Sequence, residues 1–483
     1  MSGPEEPRVA GPDVDGLELD PETMRELGYR VVDLLVERLE RLDESRVWRG
    51  ASRAEMESRL REPPPEEPTD FEELLGRLEK DVLPFTGQHD HPRFFGYIPS
   101  SPTWPGVLGD LLASGMNIFA GTWLQSAGAS TVELVVIDWF RQWLGYGGRA
   151  SGILLPGGSL ANLTALACAK EAKAGGRAAT AVVYVTPQSH SSLTRALHVL
   201  GFEADQVRSV PVDDRLRMRP DALAAAMDAD VLAGRRPLFV VANAGATNTG
   251  AIDPLGEIAA VCAEQDAWFH VDAAYGGFAI LTDRGRAWLD GIDEADSVTL
   301  DPHKWLYQPY ECGCLVVRNG PLLSQAFHIL PDYLQDTAVG GVEVNFADRG
   351  LQLTRSARAL KVWLSLHHFG VGAFRAAIDR TLDLAVLAEE RVRASNELEL
   401  LSPASLGIVC FRRRPHGGAA GERELEALNS DLARRLAESG EGLVSTTRVD
   451  RRFALRMCVL GHRSRAEDIE RVLAWLESAP VAP

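Results

Sequence analysis

Asp296-Ser-Val-Thr-Leu300-Asp301-Pro302-His303-Lys304-Trp305 is the stretch on which the reading of this chain turns. The run Asp296 to Leu300 is strand-like, so Lys304 falls where a parallel strand ends. In open α/β sheets, ligands bind outside the carboxyl ends of the strands. With His303 and Trp305 beside it instead of solvated charges, the amine is suited to a lowered pKa and to nucleophilic work. Taken alone, a lysine in this position is more often a surface residue. Only five lysines occur (Lys80, Lys170, Lys173, Lys304 and Lys361), so arginine supplies 45 of the 50 basic residues. A reaction that needs a lysine amine therefore has few candidates.

Three further segments follow strand-like runs. In His270-Val-Asp272-Ala-Ala274-Tyr-Gly-Gly277 an acid ends an apolar run and small residues follow. A lone Asp there caps the next element or binds a metal equally well. Small residues directly after it suit a flat ring pressed against the backbone, and an acid that keeps a pyridinium nitrogen protonated is what a pyridoxal-phosphate (PLP) electron sink requires. Ile153-Leu-Leu155-Pro-Gly-Gly158-Ser159-Leu-Ala-Asn162 is a glycine turn opening a helix, where unpaired N–H groups and the helix dipole favour a phosphate. It lacks the lysine of a Walker loop and the third glycine of a dinucleotide fingerprint. Finally, Thr186-Pro-Gln-Ser-His190 follows the run Ala181–Val185.

These segments lie in a region, 86 to 374, where short apolar β-rich runs alternate with amphipathic helical patterns. That alternation indicates a parallel sheet covered on both faces. Residues 1–19, rich in Gly, Pro and acids, have the composition of a disordered tail. The segment 20–85 opens a helix at Asp20-Pro21, with Met24, Leu27, Val31, Leu34, Leu35 and Leu39 at helical spacing. Such a stripe buries against its own domain or against a second subunit. Residues 375–483 form a smaller α+β unit, with strands near Gly407–Phe411 and Phe453–Met457 and a last helix from Ala466 to Glu477.

A net charge of −18 argues against nucleic acid or an anionic membrane as partner. No signal core and no run of about 18 apolar residues is visible, which gives a cytoplasmic expectation. Cys312-Gly-Cys314 lacks a second ligand cluster, so the six cysteines are expected to be buried thiols, with no metal.

Taken together, phosphate turn, histidine, acid and lysine all sit at strand ends of one α/β region, and the chain resembles the group II PLP-dependent amino-acid decarboxylases, in the aromatic-L-amino-acid branch. The motifs that carry the resemblance are His91-Pro-Arg-Phe-Phe-Gly-Tyr97, His270-Val-Asp-Ala-Ala-Tyr-Gly276, Asp301-Pro-His-Lys-Trp305 and Arg358-Ala-Leu-Lys-Val-Trp363. It implies PLP fold-type I: a large domain with a mostly parallel seven-stranded sheet, an N-terminal helical segment and a small C-terminal α+β domain. It implies Lys304 as the Schiff-base lysine, Asp272 as partner of the pyridine nitrogen, and His190 and Ala274 on the two ring faces. Gly158 and Ser159 match the phosphate turn, while Thr247, His303 and Ser100 match residues beside the cofactor. Tyr333, in Pro331-Asp-Tyr-Leu334, matches the proton donor on a segment suited to be a lid, with His190 as its relay; aldehyde-forming members commonly carry Phe there. Animal members have Asn where this chain has Asp301, which leaves a phosphate contact there open. His89, Tyr97, Phe119, Gly121 and Thr354 occupy substrate-pocket positions. A homodimer with a shared active site is also implied.

The reaction expected is decarboxylation of an aromatic L-amino acid to its amine and CO₂. The rivals are an oxygen-dependent aldehyde synthase, a decarboxylase of a non-aromatic amino acid such as 2,4-diaminobutyrate, and a PLP-binding scaffold without turnover.

Overall fold

The computed structural model describes residues 16–176, 179–329, 343–415 and 420–480. Strands are numbered in chain order: β1 (Phe94–Phe95), β2 (Ser151–Leu155), β3 (Ala181–Val185), β4 (Val207–Ser209), β5 (Arg236–Asn243), β6 (Trp268–Asp272), β7 (Ser297–Leu300), β8 (Gly313–Val317), β9 (Leu398–Ser405), β10 (Ile408–Arg413), β11 (Leu443–Val449) and β12 (Arg452–Cys458). Seven of them form one sheet in the order β2-β8-β7-β6-β5-β3-β4. Strand β8 is antiparallel to both its neighbours, and the other pairings are parallel. Strands β6, β7 and β8 are buried along their whole length, which is why they appear in the sequence as unbroken apolar runs. This is the fold-type I architecture expected, with helices on both faces.

A second sheet, β1-β11-β12-β10-β9, is antiparallel except where Phe94 and Phe95 pair in parallel with Leu443 and Val444. Thus two residues from near the amino-terminal end of the α/β region complete a sheet made otherwise from the C-terminal part. A 36-residue helix, Ala359–Ala394, links the two sheets and bends at Gly370, whose φ of 73° is strained for other residues. All six cysteines are buried and unpaired. Among the described residues, no helix is long and apolar enough to cross a membrane.

The helix Pro21–Glu40 begins where the sequence places it: the Asp20 carboxylate accepts from the N–H groups of Glu22 and Thr23. None of its residues is buried within this chain, and Met24 and Tyr29 are half exposed or more.

One ion pair lies wholly inside the large core. Arg355 donates to Glu133 Oε1 (2.6 Å) and to the carbonyls of Leu154 and Ala120 (2.7 Å each), and the Leu154 N–H donates to the same Glu133 oxygen (2.8 Å). The pair ties β2 to the helix Trp123–Trp143 and to the segment that leads into the helix Ala359–Ala394. Removing one partner strands the other charge without water, at a cost of roughly 3–5 kcal/mol. Glu133→Ala is expected to lose about that much stability in chemical denaturation, whereas a loss below about 1 kcal/mol, the range of a surface pair, would show that water reaches Arg355.

Candidate active site

Parallel pairing puts Asn243, Asp272 and Thr299 side by side at the carboxyl ends of β5, β6 and β7. Antiparallel β8 brings Gly313 opposite Leu155, so the turn after β2 opens at the same edge. Loops leaving this edge enclose a cavity of about 200 Å³ lined by Gly157, Gly158, Ser159, His190, Thr247, Asp272, Ala274, His303 and Lys304. Every cofactor-binding candidate from the sequence except Ser100 is therefore gathered here. Ser100 is buried beside the lysine loop, its hydroxyl donating to the Gln308 carbonyl (3.2 Å). Asn162, Ser192, Asn243, Gly245, Tyr275 and Asp301 complete the wall. Asn243 was discoverable from its place at a strand end, like Asp272. Asn162 was not, because it sits one turn inside the helix Gly158–Ala174.

Lys304 is not in the apolar setting its neighbours suggest. Its Nζ lies 2.9 Å from Asp301 Oδ2, and that carboxylate is almost completely buried. His303 faces the same oxygen at 3.6 Å through Nε2, while its Nδ1 accepts from the Cys312 N–H (3.2 Å). Asp301 thus serves as the counter-charge of the lysine. Burial lowers the pKa of both His303 and His190, so each ring favours its neutral form. Asp272 accepts from the Ala274 N–H at Oδ1 (3.2 Å) and from Asn162 Nδ2 at Oδ2 (2.9 Å).

The five substrate-pocket candidates do not line this cavity. His89 stacks on Phe94 (ring centroids 4.6 Å apart) and meets the edge of Tyr310 (5.9 Å), and Tyr310 packs on His303 (5.1 Å). A series of rings thus leads outward from His303, with Tyr97 next to Phe94 (6.4 Å). Phe119 and Gly121 lie outside that lining: half-buried Phe119 bridges to Ser356, and buried Gly121 sits against the Phe119 ring and the Leu353 carbonyl. Thr354 is exposed on that same segment. Tyr333 and most of the expected lid lie outside the described residues.

The cavity's chemistry matches PLP at three points. A glycine turn at a helix N-terminus offers N–H groups to a phosphate. A carboxylate stands at another strand end of the same edge for a ring nitrogen, and an amine lines the same cavity. The space itself depends on glycine. A Cβ on Gly158 would stand 3.0 Å from both Ala274 Cβ and Asp301 Oδ2, and one on Gly313 would strike Gly157 Cα at 2.5 Å.

The pyridoxal-dependent decarboxylase conserved domain matches residues 54–414. The chain belongs to this family. It is 40% identical to an aromatic-L-amino-acid decarboxylase of Bacillus atrophaeus over 466 residues, 96% of this chain and 97% of that one. Among solved structures it is similar to the TDC of Oryza sativa with PLP and tryptamine (TM-score 0.90, 30% identity, covering 95% and 97% of the two chains). It is also similar to the 4-hydroxyphenylacetaldehyde synthase of Rhodiola rosea (TM-score 0.88, 25% identity, covering 96% and 100%). The chain is a PLP-dependent amino-acid decarboxylase. Gly158→Ala, which intrudes on the cavity without touching Lys304, is expected to weaken PLP binding to the apoprotein by about 1–3 kcal/mol, the usual cost of overpacking. Unchanged affinity in a fluorescence titration would place the cofactor elsewhere.

Proposed function

We propose that this decarboxylase acts on an aromatic L-amino acid, releasing its amine and CO₂. The observation that carries the reading is the cavity in which Lys304, Asp272, His190 and the Gly157–Ser159 turn converge, in a chain similar over nearly its whole length to a decarboxylase of that substrate class. The rings His303, Tyr310, His89 and Phe94, packed in sequence, supply a surface against which an aromatic side chain is held.

In this reading Lys304 holds the cofactor's aldehyde carbon and Asp272 its ring nitrogen. Gly158 and Ser159 hold the phosphate, and His190 and Ala274 cover the ring faces, with Thr247, His303 and Ser100 nearby. When bound, PLP supplies the electron sink that takes up the bonding pair as the carboxylate leaves. Asp272, fixed by two N–H donors, keeps a negative charge where that sink must stay protonated. Asp301 would balance the Lys304 ammonium whenever that amine is free. CO₂ departs without its bonding electrons, so Cα must gain one proton to complete the amine, and Tyr333 is the proposed donor, with His190 behind it.

The second reading is the aldehyde synthase, favoured by the similarity to the Rhodiola rosea protein. There substrate, O₂ and water give aldehyde, CO₂, ammonia and hydrogen peroxide. Tyr333 separates the two. With tryptophan, tyrosine, phenylalanine, Dopa and 2,4-diaminobutyrate as substrates, the parent protein is expected to give amine from an aromatic member and no peroxide. Tyr333→Phe is expected to lose amine formation by a factor of about 10²–10⁴, the usual worth of a positioned acid, while CO₂ release partly survives and aldehyde appears in air. Peroxide in step with CO₂ from the parent would establish the second reading.

A homodimer with a shared site belongs to the same proposal. No residue of the helix Pro21–Glu40 is fully buried in its own chain, where its apolar stripe is only partly covered, and Phe119, Gly121 and Thr354 lie outside the lining of the cavity they are proposed to serve. A second copy would cover the first and supply the others. Light scattering is expected to give a dimer, and removal of residues 1–85 to abolish both dimer and turnover; an active monomer from that truncation would refute the shared site.

A further inference from the structure

Behind Asp272 lies a buried polar network that the reaction as described does not use. Asn162, 1% exposed, is its centre. The amide Nδ2 donates to Asp272 Oδ2 (2.9 Å) and to Ser192 Oγ (3.0 Å). The amide oxygen accepts from Thr299 Oγ1 (2.7 Å) and meets His270 Nε2 (3.1 Å). His270 Nδ1 meets Ser297 Oγ (2.8 Å), which in turn accepts from Trp268 Nε1 (2.8 Å).

The proton positions in this network follow from which atoms can donate. A carboxylate oxygen has no proton to give, so Asn162 must turn its NH₂ toward Asp272. Its oxygen then faces Thr299 and His270, and His270 must carry its proton on Nε2. Burial brings the His270 pKa down to about 4, so the ring is neutral and Nδ1 is bare, an acceptor for the Ser297 hydroxyl. On the other side, the second Nδ2 hydrogen occupies a lone pair of Ser192 Oγ. The Ser192 hydroxyl proton is thereby directed to His190 Nδ1 (2.9 Å), where the Ser192 backbone N–H also donates (3.2 Å). His190 Nδ1 accepts twice and cannot hold a proton, so the proton stays on Nε2.

We propose that Asn162 is a positioning residue that couples the two working groups of the site: one amide both fixes the Asp272 carboxylate and, through Ser192, holds His190 as the neutral Nε2–H tautomer. His190 then offers the cavity an N–H donor that cannot drift to the other nitrogen. This rests on the assignment of Asp272 and His190 to the cofactor.

The test has a readout that does not depend on turnover. Cofactor-free protein carrying ¹⁵N-labelled histidine is examined by NMR, with the His190 signals assigned by their loss in His190→Gln. The parent is expected to show a bare Nδ1 and a protonated Nε2. Asn162→Leu frees the Ser192 hydroxyl to turn, leaves only the longer backbone contact on Nδ1 (3.2 Å), and is expected to raise the share of the Nδ1–H form above that of the parent. In the PLP-loaded enzyme the same variant is expected to lose about tenfold or more in kcat per loaded site, the scale of one hydrogen bond to a charged group, with KM little changed. A protonated Nδ1 in the parent, or an unchanged tautomer and unchanged per-site kcat in Asn162→Leu, would overturn the proposal. If Asn162→Leu does not fold, Ser192→Ala removes one oxygen and leaves the contact with Asp272 intact. It is expected to shift the His190 tautomer in the same direction, and no shift would again count against the coupling. A parent that forms no amine yet shows the Nε2–H tautomer would sink the catalytic assignment and leave the network standing.

Discussion

The active edge exists because parallel strands all end on the same side. Once β3, β5, β6 and β7 are paired in parallel, their next residues must emerge together, and β8, running the other way, begins at that edge with Gly313 beside Gly157. No single strand carries the site. His190, Asn243, Asp272 and Lys304 come from the ends of four different strands or the loops after them, and their distances are set by the strand spacing and register rather than by local sequence. The buried character of β6, β7 and β8 therefore serves two ends, since it stabilises the sheet and holds the loops rigidly enough for hydrogen bonds to define protons.

Charge is confined to a few paired places within this interior. Arg355 and Glu133 are bonded to each other and to main-chain groups, and Lys304 is set against Asp301. Elsewhere the site relies on neutral partners: an amide, three hydroxyl groups and a neutral imidazole stand behind Asp272. Neutral groups avoid the desolvation penalty that a second buried charge would carry, and they still orient the carboxylate. The helix Gly158–Ala174 contributes to the cavity twice, through its N-terminal residues Gly158 and Ser159 and, one turn later, through Asn162, which holds Asp272.

What the sequence revealed follows the same logic. Strand ends after apolar runs are visible because burial on both faces leaves an unbroken hydrophobic signature, so Asp272, Lys304, His190 and the Gly158 turn were all legible. Asn162 was hidden because a polar residue in a helix carries no mark of what it faces across the sheet. Strand β9 was missed because it is an edge strand, only half buried and holding Pro403, which argues against a strand in any local reading. The two-residue β1 depends wholly on a partner far along the chain. The substrate-pocket positions were named from resemblance, and their separation into a ring series at His303 and a second group around Phe119 emerges only in three dimensions.

The central claim is that this convergence makes Lys304 the attachment point of PLP. Borohydride reduction of the loaded enzyme, followed by peptide mass mapping, tests it directly. The account predicts a single pyridoxyl group, on Lys304. A pyridoxyl group on Lys80, Lys170, Lys173 or Lys361 would contradict it.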